Sequence, residues 1–189
     1  METTLVVSSR TRSAASLVER TVANDGGYLE PNDSAFCALT DFRIEYPITV
    51  EPNSSIDDSL AHMNRLGVHA LLVTRQEVGS IDEQVVGLIT AYDIERWRPH
   101  RTPQAAVSKE PRSARVGDVM TPWDELSLVH YDSLETLTAL ELFAMFQGTG
   151  LTHLLVVDMQ DDESAVARGL ISRGSLAKRL RRYRKTARS

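Results

Sequence analysis

Short apolar runs and amphipathic stretches alternate along this chain, and the order in which they come occurs twice. Pro47-Ile48-Thr49-Val50 reads as a short strand, closed by Pro52-Asn53-Ser54-Ser55, with Ser55 placed to cap a helix. Ile56, Leu60 and Met63 then fall at i, i+4 and i+7, which marks one buried helical face ending near Gly67. Residues 68–73 form a second strand and 77–83 a polar hairpin loop. Residues 85–89 are a third strand, apolar almost throughout and so buried on both faces. A further helix is predicted over 92–98 and stops by Pro99. Pro99, Pro103 and Pro111, with Arg and Ser between them, make 99–113 a linker.

Beyond the linker the pattern begins again. Val119-Met120-Thr121-Pro122 opens it and 126–129 is the short strand. Asp132 or Ser133 caps a helix carrying Leu134, Leu137, Leu140 and Phe143, longer than its counterpart by residues around 144–148. Strands over 151–157 and 166–171 flank an acidic hairpin at 158–164. Gly67-Val68-His69-Ala70-Leu71-Leu72-Val73 and Gly150-Leu151-Thr152-His153-Leu154-Leu155-Val156 lie 83 residues apart. Gly87-Leu88-Ile89-Thr90-Ala91-Tyr92-Asp93 and Gly169-Leu170-Ile171-Ser172-Arg173-Gly174-Ser175 lie 82 apart, so the second hairpin is one residue shorter. One unit of strand, helix, strand, strand and helix has been copied. Ahead of both copies, a short helix is expected over 14–22, followed by loop.

The repeated phrase carries the candidate chemistry. Thr90 and Ser172 stand at strand-to-helix turns, where unpaired backbone N–H groups favour an anion. Asp93 offers an acceptor-only carboxylate that can take both hydroxyls of a ribose diol, a task that Ser175 at the matching position performs less well. The simpler role for Thr90, Asp93, Ser172 and Ser175 is to cap the helices they open. Arg173 could meet a phosphate or simply begin the exposed basic tail. His69 and His153 sit in apolar strands, where a hydrogen-bonded structural histidine is the usual case.

Composition narrows the function class. A chain of 189 residues, 42% hydrophobic and 25% charged, is large enough for one compact domain or two small ones. No apolar run approaches the roughly 18 to 20 residues of a membrane span, and the N-terminus lacks a secretory pattern, so a cytoplasmic location is expected. Cys37 is the only cysteine, which excludes an internal disulfide and a cysteine-cluster zinc site; it reads as an inert, buried thiol. The net charge of −5 divides unevenly: residues 1–172 carry −13, and 173–189 hold eight cations and no acid. That tail could bind nucleic acid, an anionic membrane surface or an acidic partner, and its simpler reading is a solvated helix end whose cations complement the helix dipole and the acidic body. With Tyr183 its only aromatic residue, nucleic acid is a disfavoured partner. His62, His69, His100, His130 and His153 are scattered singly, and the chain has no phosphate-cradling Gly-rich loop and no His-Glu metal motif, so catalysis is not expected.

Taken in order, Val119-Met120-Thr121-Pro122, the paired Leu-Leu-Val strands and the Gly-Leu-Ile-Thr/Ser turns ending in Asp93 or Ser175 resemble the cystathionine-β-synthase-type (CBS) domain, which occurs in tandem as the Bateman module. The resemblance implies an α+β fold of two pseudo-twofold related β-α-β-β-α repeats packed through their sheets. It divides the chain into an N-terminal extension (1–37), repeat 1 (38–98), the linker (99–113), repeat 2 (114–183) and a basic tail (184–189). It also implies a sensor that binds AMP, ADP, ATP or S-adenosylmethionine, has no covalent cofactor and pairs into a homodimer or acts on a regulated protein partner. Carried over by position, Asp93 would bind ribose, Thr90 phosphate or ribose, Tyr46 and Ile48 would flank adenine, and His69 and His153 would lie near phosphate. Ser172, Arg173 and Ser175 would form the second site. The chain departs from the family pattern at Leu72 and Leu155, where proline is frequent, and at Arg43, read as the first repeat's methionine position. The competing class is a ligand-free dimerisation or assembly module whose basic tail recruits an acidic partner or nucleic acid.

Overall fold

The computed structural model describes residues 5–7, 27–76, 83–97, 114–159 and 165–186. The expected helix over 14–22, the linker 99–113 and most of both hairpin loops lie outside them. In chain order the elements are β1 (Leu5–Val7), β2 (Thr40–Asp41), β3 (Thr49–Val50), α1 (Ile56–Leu66), β4 (Ala70–Gln76), β5 (Glu83–Thr90), α2 (Ala91–Trp97), α3 (Val116–Val119), β6 (Thr121–Pro122), β7 (Leu128–His130), α4 (Ala139–Met145), β8 (His153–Met159), β9 (Ala165–Ser172) and α5 (Arg173–Thr186). Single 3-10 turns precede β2 at Ala35–Ala38 and α4 at Tyr131–Glu135. The fold is mixed α+β, and β3-α1-β4-β5-α2 matches β7-α4-β8-β9-α5.

Contacts gather the chain into two compact units whose membership crosses the repeat boundaries drawn from sequence. Among the described residues, one holds 47–126 with Leu5–Val7, and the other holds 127–186 with 27–46. The opening stretch of each repeat as bounded from sequence therefore packs with the other repeat.

In the unit of repeat 1, β3 runs parallel to β4 and β4 antiparallel to β5, with β1 and β6 also pairing to β5. Ser55 caps α1 by accepting from the N–H groups of Asp57 and Asp58, and Gly67 ends it in the left-handed conformation at φ 69°. The buried face of α1 is Ile56, Ser59 and Met63, packed on Leu71, Val73, Ile89 and Ile94. Ala114 and Val116 complete that core, and the Val116 N–H donates to Ser54 O at 2.9 Å. Each such fully buried aliphatic side chain contributes about 2 kcal/mol of transfer free energy.

The other unit repeats this arrangement. β7 is parallel to β8, β8 antiparallel to β9, and β2 pairs with β9. The β4–β5 ladder shifts register after Val73 and the β8–β9 ladder after Val156, positions 83 residues apart. Ala139, Leu142 and Phe146 are fully buried and stand 83 residues after the α1 face, joined by Leu29, Ala35 and Leu39 from the preceding segment. The Ala35 N–H donates to Leu137 O at 2.9 Å. The buried Arg179 on α5 secures the same segment, donating from Nη1 to Cys37 O at 2.5 Å and from Nε to Gly27 O at 3.2 Å. Burial pushes the Cys37 thiol above its ordinary value, which suits an inert thiol.

Two expectations are corrected in this unit. The helix does not start from Asp132 or Ser133 and is not the longer copy. A 3-10 turn comes first, and α4 restarts at Ala139 under Thr138, whose hydroxyl accepts from the Glu141 N–H at 3.2 Å while Glu141 accepts from the Thr138 N–H at 2.9 Å. This capping box overrides the apolar spacing and turns Leu140 outward, 48% exposed. Gly148, at φ 75°, ends any continuation, leaving α4 with seven residues against eleven in α1. The methionine position also moves. Met120 and Leu39, not Arg43, are the equivalent side chains, each lying over the glycine of the strand it faces.

Those glycines are fixed by close approach. A Cβ on Gly87 would stand 2.6 Å from Thr121 O and 2.9 Å from Met120 Sδ; on Gly169, 2.3 Å from Thr40 O and 2.5 Å from Leu39 Cδ1. β6 on Gly87 and Leu88, and β2 on Gly169 and Leu170, cross the repeated phrase where only glycine admits another backbone.

Candidate functional site

Strand register gathers the repeat 1 candidates. Thr49 pairs with Leu72 and Ala70 with Thr90, so Ile48, His69 and Thr90 all fall at one end of the β3-β4-β5 sheet, where α2 begins. Thr90 is buried. Its N–H and hydroxyl both donate to Asp93 Oδ2, at 2.9 and 2.6 Å, and its Oγ accepts from the Asp93 N–H at 3.2 Å. The pair is a reciprocal cap on α2. Thr90 is thereby committed to Asp93, while Asp93 Oδ1 takes no hydrogen bond among the described residues and remains an acceptor for a ligand.

Asp93 is half-buried and lines an open depression of about 250 Å3 together with Arg96, Trp97, Asp118 and Val119. Asp93, Arg96 and Trp97 share one face of α2 by their i, i+3, i+4 spacing, a helical signal present in the sequence that went unused. Asp118 and Val119 come from α3, at the opening of the stretch assigned to repeat 2, and no spacing within repeat 1 announces them. The other first-site candidates do not line this depression. Ile48 packs against the core beside Val50 and accepts from the Leu72 N–H at 3.0 Å. His69 is exposed, and its carbonyl accepts from the Ala91 N–H at 3.0 Å. Tyr46 is 85% exposed and belongs with the other unit.

The matching turn of repeat 2 has the same backbone and different side chains. Ser172, half-buried, accepts from the Ser175 N–H at 3.4 Å, and no carboxylate closes the cap. The Arg173 N–H donates to Thr152 O at 2.9 Å, as Ala91 does to His69. His153 pairs with Ser172 across the ladder, and its Nδ1 lies 3.1 Å from Thr152 Oγ1. Ser127, whose carbonyl accepts from the Leu155 N–H at 3.2 Å, stands where repeat 1 has Ile48; offset counting from Leu72 and Leu155 would have found it. Thus Ser127, Thr152, His153, Ser172, Arg173 and Ser175 give this end of β7-β8-β9 hydroxyls, an imidazole and a cation. Among the described residues no group of three or more His, Cys, Asp or Glu could hold a metal ion.

A strand-helix-strand-strand-helix unit built twice, with the turn after its third strand carrying the polar residues, defines a small duplicated α+β fold. Residues 39–100 match the family model of the CBS domain, and the same arrangement of elements follows a second time in the chain. Among solved structures it is similar to a CBS-domain containing protein from Agrobacterium tumefaciens, with 16% identity and a TM-score of 0.52 over 79% of this chain and 94% of that one. It is also similar to an uncharacterised conserved protein from Pyrococcus horikoshii, with 19% identity and a TM-score of 0.51 over 79% and 93%. CBSX2, a CBS-pair protein from Arabidopsis thaliana whose crystal structure has been solved in complex with AMP, aligns at 20% identity and a TM-score of 0.47 over 86% of this chain and 100% of that one. No curated protein matches the chain by sequence. Among the described residues no helix is long and apolar enough to cross a membrane.

Proposed function

We propose that this chain is a non-catalytic regulatory module that binds an adenosine-containing ligand at the first repeat and passes its occupancy to a partner protein or to a second copy of itself. The observation that carries the reading is Asp93: one carboxylate oxygen fixes the turn, the second stays available, and the residue lines a depression with an aromatic wall. An oriented carboxylate is the group that a ribose diol requires. The match of residues 39–100 to the CBS-domain model supports the regulatory role. Ligand binding acts by favouring one of two arrangements of the module for which it has different affinity.

The test is thermal unfolding of the full chain with adenosine, AMP, ADP, ATP and S-adenosylmethionine. A ligand at 100 times its dissociation constant raises stability by about 2.7 kcal/mol. Asp93→Ala abolishes the shift, whereas Thr90→Ala, which weakens the cap and keeps the carboxylate, retains most of it. If every ligand leaves the wild-type midpoint unmoved, the duplicated turn is a structural cap alone and the module assembles without a nucleotide.

A further inference from the structure

One outward surface of the unit of repeat 2 is not required by the duplicated fold. Leu140 and Ala144, one helical turn apart on α4, are both exposed, whereas the positions 83 residues earlier on α1 hold Asp57 and Ala61. An acid suits the first turn of a helix, so the helix itself does not call for leucine there. α5 packs beside α4, and a short run of chain joins their surfaces: the Leu29 N–H donates to Arg179 O at 3.3 Å, and Pro31 O accepts from the Leu140 N–H at 3.0 Å. Three residues of chain span at most about 10 Å, the width of one α-helix with its side chains. Tyr28, 55% exposed, stands at the α5 end of that span. Lys178 and Arg181, three residues apart on α5, are exposed on one face and make no ion pair among the described residues.

The charges around this surface are mixed. Glu30 and Glu141 are exposed as well; Asp33 is half-buried with Oδ2 accepting from the Glu30 N–H, and Glu141 accepts from the Thr138 N–H and hydroxyl at 2.9 and 2.7 Å. Water screens the exposed cations and carboxylates alike. The balance turns positive along α5, because Arg182, Arg184, Lys185 and Arg188 follow in sequence and no acid occurs after Glu163. An anionic bilayer or a polyphosphate backbone is a continuous array and meets Glu30 and Glu141 along with the cations. A peptide helix presents discrete charges, so its carboxylates can lie over Lys178 and Arg181 while its apolar ridge covers Leu140, Ala144 and Tyr28.

We propose that the outer face of α4, the 28–31 segment and α5 form a docking surface for an acidic amphipathic helix of a partner protein. Leu140 is the apolar anchor, and Lys178 and Arg181 pair with the partner's carboxylates and set its register. The inference stands without the adenosine reading of Asp93.

The experiment is fluorescence anisotropy of a labelled helical peptide of about 18 residues, with Leu at every third and fourth position and Glu and Gln between, titrated with the full chain. The same peptide with Lys for Glu, phosphatidylcholine–phosphatidylglycerol vesicles and a DNA duplex are the comparison arms. The Glu peptide is expected to bind roughly tenfold tighter than the Lys peptide. It should lose roughly tenfold in Leu140→Asp, which gives α4 the residue that α1 carries, and in Leu140→Gln, which adds no charge. Lys178→Glu combined with Arg181→Glu should bring the two peptides to similar affinity, with unchanged melting midpoints as the control for every variant. Failure of the Glu peptide to bind, or binding that Leu140→Gln leaves intact, overturns the proposal. Tighter binding of the vesicles or the duplex, lost in Lys178→Glu with Arg181→Glu, assigns the surface to lipid or nucleic acid and overturns it too. A dimer of the full chain in sedimentation that Leu140→Asp splits into monomers gives the surface to a second copy instead.

Discussion

The two strand-to-helix turns share a backbone and differ in what closes them. In repeat 1 a carboxylate ties Thr90 and its own N–H into a three-bond cap. In repeat 2 a single bond of 3.4 Å between Ser172 and Ser175 does the same work. A duplicated fold therefore tolerates loss of the acid, so Asp93 is not needed merely to start a helix there. The surplus in repeat 1 is an oriented carboxylate oxygen; the surplus in repeat 2 is a hydroxyl, imidazole and cation rim. Duplication kept the scaffold and let the chemistry of the two ends separate.

What holds the scaffold constant is the pair of glycines beneath the crossing strands, and breaking them has the largest expected effect. An added Cβ at Gly169 meets Thr40 O at 2.3 Å, a backbone atom, and a branched leucine at 2.5 Å. At Gly87 the backbone oxygen is 2.6 Å away and the next neighbour is the flexible thioether of Met120. Overpacking costs of this kind exceed the gain from replacing a strand glycine. Gly169→Ala should lose about 3 kcal/mol and Gly87→Ala about 2 kcal/mol in urea unfolding. Equal losses would mean that the two crossings are equally stiff and that the Leu39 and Met120 difference is immaterial.

A smaller effect sharpens the contrast between the turns themselves. Thr90→Ala removes the residue that both donates and accepts in the first cap and should cost about 1 kcal/mol, while Ser172→Ala should cost about half of that. The difference should also appear in amide exchange at the start of α2 and α5. If Ser172→Ala proved as costly as Thr90→Ala, the longer bond in repeat 2 would be no weaker than the first cap, and the argument that Asp93 exceeds structural need would fail.

Sequence made the duplication legible because strand and helix periodicity survive in both copies and the offset of 83 residues holds from Ser55 and Thr138 through Gly67 and Gly150. Ser55 and Gly67 were readable as caps from residue type alone. The start of α4 was missed because Leu134, Leu137, Leu140 and Phe143 imitate a helical stripe, and only Thr138 with Glu141 shows where the helix begins. The exchange of flanking segments was not legible: Ala35 falls in the extension and Leu39 at the opening of repeat 1, yet both fill the core beside Leu142. The same exchange put Asp118 into the depression with Asp93, so the candidate site was half visible. The share carried by α2 follows from helical spacing, and the share carried by α3 is a tertiary fact.

The crossing strands also differ at their second residue, where the Gly169 partner is Asp41 and the Gly87 partner is Pro122. Proline leaves no charge at the crossing. Asp41 accepts from Arg43 Nε at 2.9 Å and Nη2 at 2.5 Å, and Arg43 also lies over the Tyr131 ring at 4.8 Å and donates to its hydroxyl. Burial pushes the Asp41 carboxyl up, but the hydrogen bonds and charge of Arg43 outweigh it and leave the group below its ordinary 3.8. A carboxyl with a depressed folded value stabilises the fold above its unfolded value and loses that contribution as pH falls through the folded one. Because the Arg43 side chain is 43% exposed, solvent screening limits the contribution to about 1 kcal/mol. Asp41→Asn should therefore be less stable than the wild type by about that amount at pH 7 and pH 5, and the gap should begin to narrow below pH 3.8 and vanish once pH falls through the lower folded value. Urea unfolding of both proteins at pH 7, 5 and 3 measures it. A gap that stays constant across the series would show that Asp41 acts through hydrogen-bond geometry and not charge, removing the electrostatic difference between the two crossings.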